Sequence, residues 1–128
     1  MTHQFQLFRL RIDHTVAGYL KLFSNGIVEY SKDQFWWHGN PIEYNQKDLF
    51  SGQLDRHNRP LFENDIVAMR TTIKSQPKSN CRLYFHEERG SFVLEQLDNQ
   101  NIFELFAGSE SIFHKNELTF IGFSFNDD

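Results

Sequence analysis

A chain of 128 residues is long enough for one domain, or two very small ones, with a substantial buried core. Its 14 Phe, 4 Tyr and 2 Trp make up 16% of the residues, a composition that suits half-buried β-sheet and argues against a mainly helical or disordered chain. The net charge of −4 is unevenly spread, with eleven Lys and Arg against eight Asp and Glu in residues 1–82 and two against nine in residues 83–128.

The first stretch, MTHQFQLFRLRIDH, lacks the basic lead and the apolar core of a signal peptide. No later run approaches the ~18 apolar residues of a membrane span. The expectation is therefore a soluble, cytoplasmic protein with no membrane contact. Within this stretch Phe5, Leu7, Leu10 and Ile12 alternate with Gln6, Arg9, Arg11 and Asp13, which predicts a half-buried strand. The extra apolar residue at Phe8 predicts a bulge at Leu7-Phe8. Two apolar runs, 19–23 and 27–30, flank Ser24-Asn25-Gly26. Asn-Gly there predicts a β-hairpin with a type I′ turn, which requires positive φ at both Asn25 and Gly26.

Asp33 to His38 reads as a further strand. On a strand the adjacent Trp36 and Trp37 point to opposite faces, so one enters a core while the other is left outside. A Trp outside, beside His38, would offer a stacking surface for a base, a sugar or a peptide. The 39–45 loop, with Gly39-Asn40-Pro41, is the natural boundary between a hairpin region, 1–44, and a second region, 45–128, although the two are short enough to pack as one unit.

Residues 51–67, SGQLDRHNRPLFENDIV, have the most distinctive order in the chain. Asp55 to Asn58 has the composition of a reverse turn, because an Asp carboxylate binds backbone N–H groups two residues on and Asn tolerates positive φ. Pro60 holds Arg59 extended. Glu63-Asn64-Asp65 predicts a second turn before the β-branched Ile66-Val67, with Asp65 bonding turn amides. His57 beside Asp55 and Asp65 admits an acid–base pair, against which stands the plain reading of an exposed turn histidine.

Past Arg70, residues 71–80 read as a loop that is polar, contains Pro77 and has no acid. Arg70, Lys74, Lys78 and Arg82 recur every four residues, but Pro77 argues against the helix that would align them. Together with Trp36 and Trp37 they are the candidate nucleic-acid or partner-binding residues. Cys81 is alone, so no intramolecular disulfide or thiolate metal cluster forms, which fits a reducing compartment. Leu83 to Glu95 predicts a second hairpin turning at 87–90. His86-Glu87-Glu88 lacks metal-ligand spacing, and no metal or other cofactor is expected. The 102–106 run, IFELF, reads as a strand after a turn at 99–101. Residues 118–125 read as a closing strand, apolar on both faces and so buried on both.

Several of these residues together carry a family resemblance. Gly52, Asp55, Leu61-Phe62-Glu63 and Asp65-Ile66-Val67 are similar, without a gap, to the central motif of YopX-like proteins of bacteria and their phages. Asn58 and Asn64 stand where that family usually has Gly. Arg89 to Leu94 and Leu118 to Gly122 resemble two of its later strands, while Phe123 replaces its usual Asn. The resemblance spans roughly residues 45–125 and implies an all-β fold of phage or prophage origin, with no known activity. Taken with the strand pattern, the expectation is an all-β protein of antiparallel hairpins, with a small SH3-like barrel-type C-terminal part and few or no helices. Gly52, Asp55, Asn58, Phe62, Glu63, Asn64 and Asp65 are its structural motif.

No catalytic motif is present: neither Gly-x-Gly-x-x-Gly, a Walker loop nor Gly-x-Ser-x-Gly occurs, and the six His are scattered. The functional expectation is a non-catalytic binding module rather than an enzyme. The basic 70–82 segment would suit nucleic acid. The acidic C-terminal third would suit a basic protein partner, as an acidic decoy. An open edge strand would permit self-association.

Overall fold

The computed structural model describes residues 4–70 and 79–126. It is all-β, with antiparallel sheets and, among the described residues, only two short 3-10 turns, Lys115–Glu117 and Ser124–Asn126. The chain divides into two compact units, Met1–Phe50 and Ser51–Asp128. The division falls inside a strand, past the 39–45 loop.

The first unit holds β1 (Phe5–Ile12), β2 (Thr15–Phe23), β3 (Val28–Ser31) and the first half of β4 (Gln46–Leu54), in the order β3-β2-β1-β4. The β2–β3 hairpin forms where Asn25-Gly26 predicts it, but its turn is not type I′. Gly26 takes φ 89° while Asn25 keeps negative φ. The Gly26 N–H bonds the Phe23 carbonyl at 2.9 Å, closing an ordinary turn that ends in a left-handed glycine. The Asn25 side chain takes the Ile27 N–H instead.

The bulge is also displaced. Leu10 pairs with Gly18 and Arg11 with Val16, so the extra residue is Ala17 on β2, and β1 runs unbroken through Leu7-Phe8. Unbroken alternation puts Leu7, Arg9 and Arg11 on one face and Phe8, Leu10 and Ile12 on the other. Leu10 is fully buried. Arg9 and Arg11 are buried as well, because Asp48 on β4 stands opposite Arg9 and binds both guanidiniums. The Asp48 carboxylate accepts bonds from Arg9 Nε at 2.9 Å and from Arg11 Nε and Nη2 at 2.8 and 2.9 Å. Opposite Leu10, Gly18 allows a close approach: a Cβ there would lie 2.7 Å from the Ser31 carbonyl oxygen.

The second unit holds the rest of β4, then β5 (Pro60–Phe62), β6 (Asp65–Met69), β7 (Ser79–His86), β8 (Ser91–Gln96), β9 (Ile102–Glu104), β10 (Phe106–Ala107), β11 (Glu110–Ser111) and β12 (Leu118–Phe123). Its main sheet is antiparallel in the order β12-β6-β7-β8-β9. Leu61, Val67, Met69, Cys81, Leu83, Leu94, Leu105, Phe113 and Leu118 make the core. Each fully buried aliphatic side chain there contributes about 1.5–3 kcal/mol. The 87–90 turn forms as predicted, with Gly90 at φ 66°, while the strand expected over 102–106 ends at Glu104 and is broken at Leu105 before β10.

Two readings of this half change. Residues 79 and 80 belong to β7 rather than to a loop, while 71–78 lie outside the described residues. The closing strand carries a bulge between Phe120 and Gly122. A bulge reverses the side-chain parity, so Phe123 joins Leu118 and Phe120 on the core face and packs on Phe120 at 5.2 Å. Ile121 is left 49% exposed, so β12 is not buried on both faces at this point.

Candidate functional site

The segment after β3 is a fastened loop, not the strand expected over 33–38. Tyr30 and His38 exchange backbone hydrogen bonds of 2.7 and 3.0 Å and close its base. Inside, the Ser31 hydroxyl accepts the N–H groups of Asp33 and Gln34 at 3.2 and 2.8 Å. Asp33 Oδ1 accepts those of Phe35 and Trp36 at 2.8 and 3.0 Å, and the Ser31 hydroxyl at 3.1 Å. The Trp36 and Phe35 N–H groups, in that order, hold the Asp33 carboxyl below its ordinary value. Gln34 turns the chain at φ 71°, a left-handed conformation that costs of order 1–3 kcal/mol and persists because the surrounding bonds hold it.

The loop sends its three aromatics to different places. Trp37 is half-buried, donates its indole N–H to the Gln34 carbonyl at 3.0 Å, and carries the Lys21 ammonium 4.2 Å from its ring centre. Phe35 and Trp36 face solvent, 89% and 73% exposed. Sequence reading divided Trp36 from Trp37 and overlooked Phe35, since a strand would have turned it inward. The local signal was present: Ser31-x-Asp33 supplies two short side chains that bind nearby backbone N–H groups.

The basic candidates do not form one patch. Arg70 is exposed just past β6. Arg82 lies in β7 with its guanidinium 4.5 Å from the Tyr84 ring centre and 3.8 Å from the Glu95 carboxylate, and its buried Nε has no hydrogen-bond partner. Lys74 and Lys78 lie outside the described residues.

The motif residues are architectural. Asp55, 1% exposed, accepts the N–H groups of His57 and Arg59 on Oδ1 at 2.8 and 3.0 Å and that of Phe120 on Oδ2 at 3.0 Å. Burial pushes its carboxyl up, but the Phe120, Arg59 and His57 hydrogen bonds outweigh it, and the carboxyl is held below its ordinary value. Asp65, fully buried, accepts the Phe62 N–H at 2.7 Å. Asn58 and Asn64 both take positive φ, 62° and 75°, where the resemblance places Gly. Gly52 is likewise left-handed at φ 89°, within β4. Phe62 is buried and Glu63 half-buried. His57 is exposed, and the Asp55 carboxylate beside it is occupied by backbone amides, so the pair has no acid–base geometry.

Among the described residues no group of three or more His, Cys, Asp and Glu could hold a metal ion, and no helix is long and apolar enough to cross a membrane. The arrangement thus offers an aromatic tip in the first unit as a recognition feature, while of the basic candidates Arg70 alone is exposed among the described residues. No family model, no curated protein and no solved structure matches the chain.

Proposed function

We propose that this protein is a non-catalytic binding module, of the phage or prophage origin that the YopX-like resemblance implies, and that it holds a protein partner through Phe35 and Trp36. One observation carries the reading: two adjacent large aromatics stand 89% and 73% exposed on a loop that its own hydrogen bonds hold rigid. Exposing them forgoes burial worth about 1.5–3 kcal/mol for a ring the size of Phe, and such anchors typically dominate interfaces. A loop already held in place loses little entropy on binding. Along the chain Lys32 and Asp33 offset each other, which leaves Lys21 on the Trp37 ring as the one further charge described at the loop, too little to hold a polyanion.

Binding to proteins of a bacterial lysate and to DNA and RNA, each measured at about 50 and 200 mM salt, tests the reading. A protein partner should bind with little salt dependence. The Phe35→Ser/Trp36→Ser double variant should weaken it at least about tenfold, the scale of one aromatic anchor, at unchanged melting temperature. Equal binding by parent and double variant overturns the proposal. Capture of nucleic acid alone, falling steeply with salt, overturns the choice of a protein partner.

A further inference from the structure

On the face of the β12–β6 pair opposite the core lies a cleft of about 170 Å³, lined by Arg56, Ala68, Arg70, Asn116, Thr119 and Ile121. Its construction follows from register. Thr119 pairs with Ala68, so the small Ala68 side chain leaves a hollow between the two strands. Arg70 follows β6 at one end, where its backbone N–H bonds the Glu117 carbonyl at 2.7 Å. Arg56 enters from the 55–58 turn, fixed by a 2.9 Å bond from its N–H to the Leu118 carbonyl.

Backbone bonds therefore hold both arginines at the cleft, yet neither guanidinium has an ion pair or side-chain hydrogen bond among the described residues. Glu117, whose carbonyl takes the Arg70 N–H, has its carboxylate on the His114 N–H at 2.9 Å. Asp55, beside Arg56, is filled by three backbone amides. Two further cations of the same region have neutral partners: Arg59 lies over the Phe120 ring at 3.6 Å, and Lys115 bonds the Asn58 side chain at 2.7 Å. A locally positive cleft thus sits in a chain of net charge −4.

We infer that the Arg56–Arg70 cleft is a phosphate-binding site. Two unneutralised guanidiniums held on separate elements suit a tetrahedral phosphate, whose oxygens point in several directions and which carries up to two charges as the free anion and one as a diester, better than a carboxylate with its two coplanar oxygens. The Thr119 hydroxyl and Asn116 amide add neutral donors for the remaining oxygens. Typical small-molecule pockets enclose about 300–1,000 Å³, so this cleft takes one phosphate group rather than a whole nucleotide. That group is either free phosphate or a phosphodiester of a nucleic-acid backbone. The site is independent of the aromatic tip and stands whether or not Phe35 and Trp36 bind a protein.

Amide chemical shifts of the full chain, titrated separately with inorganic phosphate, sodium acetate and a short oligothymidylate, test the assignment. Phosphate or oligonucleotide should move the Ala68, Asn116 and Thr119 amides in a saturable way. Arg56→Gln and Arg70→Gln should each weaken the effect about tenfold, as loss of a charge-assisted bond predicts. Both side chains are exposed, so the variants keep the parent fold, which their remaining spectrum verifies. Tighter binding of the oligonucleotide, with a salt slope reduced by about one in Arg70→Gln, identifies a phosphodiester. Saturation by phosphate with no oligonucleotide effect identifies the free anion. No shift with either, shifts unchanged in both variants, or acetate binding as well as phosphate overturns the inference.

Discussion

Asp55 should be the most consequential carboxylate of the second unit. One oxygen takes the His57 and Arg59 amides of its own turn, and the other takes the Phe120 amide from a strand 65 residues away. Asp55→Ala removes three charge-assisted bonds, each worth roughly 1.5–3 kcal/mol. Because the turn itself is exposed, water replaces part of the loss, and the expected net cost is about 3–5 kcal/mol. Asp55→Asn keeps an oxygen for His57 and Arg59 but sets an NH2 against the Phe120 N–H, so about half of that cost should remain. The folded-state carboxyl is held below its ordinary 3.8. Its contribution is therefore fully present above the unfolded value and is lost as pH falls through the lower folded value. Urea unfolding at neutral pH gives the order parent, Asn, Ala. Repeated down to about pH 2–3, it should show a shallower acid limb for Asp55→Asn than for the parent. An Asp55→Ala midpoint equal to the parent's, or an acid limb unchanged in Asp55→Asn, would refute the reasoning.

Other substitutions probe the remaining structure. Asn64→Val, at φ 75°, should lose about 1–3 kcal/mol in a thermal melt, whereas Asn64→Gly should be neutral or slightly stabilising despite the 0.4–1 kcal/mol or so that glycine gives the unfolded chain. Asn58→Val should behave likewise but more weakly, its turn being exposed; parent-like melting of both would contradict the left-handed geometry. Gly18→Ala puts a methyl 2.7 Å from the Ser31 carbonyl oxygen and should cost at least about 1–3 kcal/mol, read as a lowered urea midpoint. Asp48→Ala removes the carboxylate that two buried guanidiniums share and should cost about 3–5 kcal/mol; a loss below about 1 kcal/mol would show that Arg9 and Arg11 do not depend on it. Trp36→Ser should leave stability within about 0.5 kcal/mol, since the ring is solvent-facing; a clear drop in melting temperature would mark it as structural.

Most turn chemistry was legible in the sequence because it is local, the type of the Asn25-Gly26 turn and the loop built on Ser31 and Asp33 excepted. Asp55 with Asn58, Asn64 and Gly90 depends on bonds and φ values within a few residues, and each turn forms where its residues place it. The all-β character follows equally from composition and alternation. Trp36 and Arg70 stood out in the sequence as candidate contact residues, one as half of an adjacent pair and the other as one of four cations recurring every four residues, and both are exposed. What remained hidden depends on partners distant in the chain. Alternation alone puts Arg9 and Arg11 in water; they are buried because Asp48, nearly 40 residues away, lies opposite on β4. A bulge needs two strands to define it, so β2 decides that it falls at Ala17, and β6 decides that Phe123 turns to the core. Arg56 meets Arg70 only because β12 pairs with β6 and the 55–58 turn bonds to Leu118. Short-range hydrogen bonds and backbone sterics are written residue by residue, whereas the face a strand buries, and the charges it brings together, are set by which strand it pairs with and in what register.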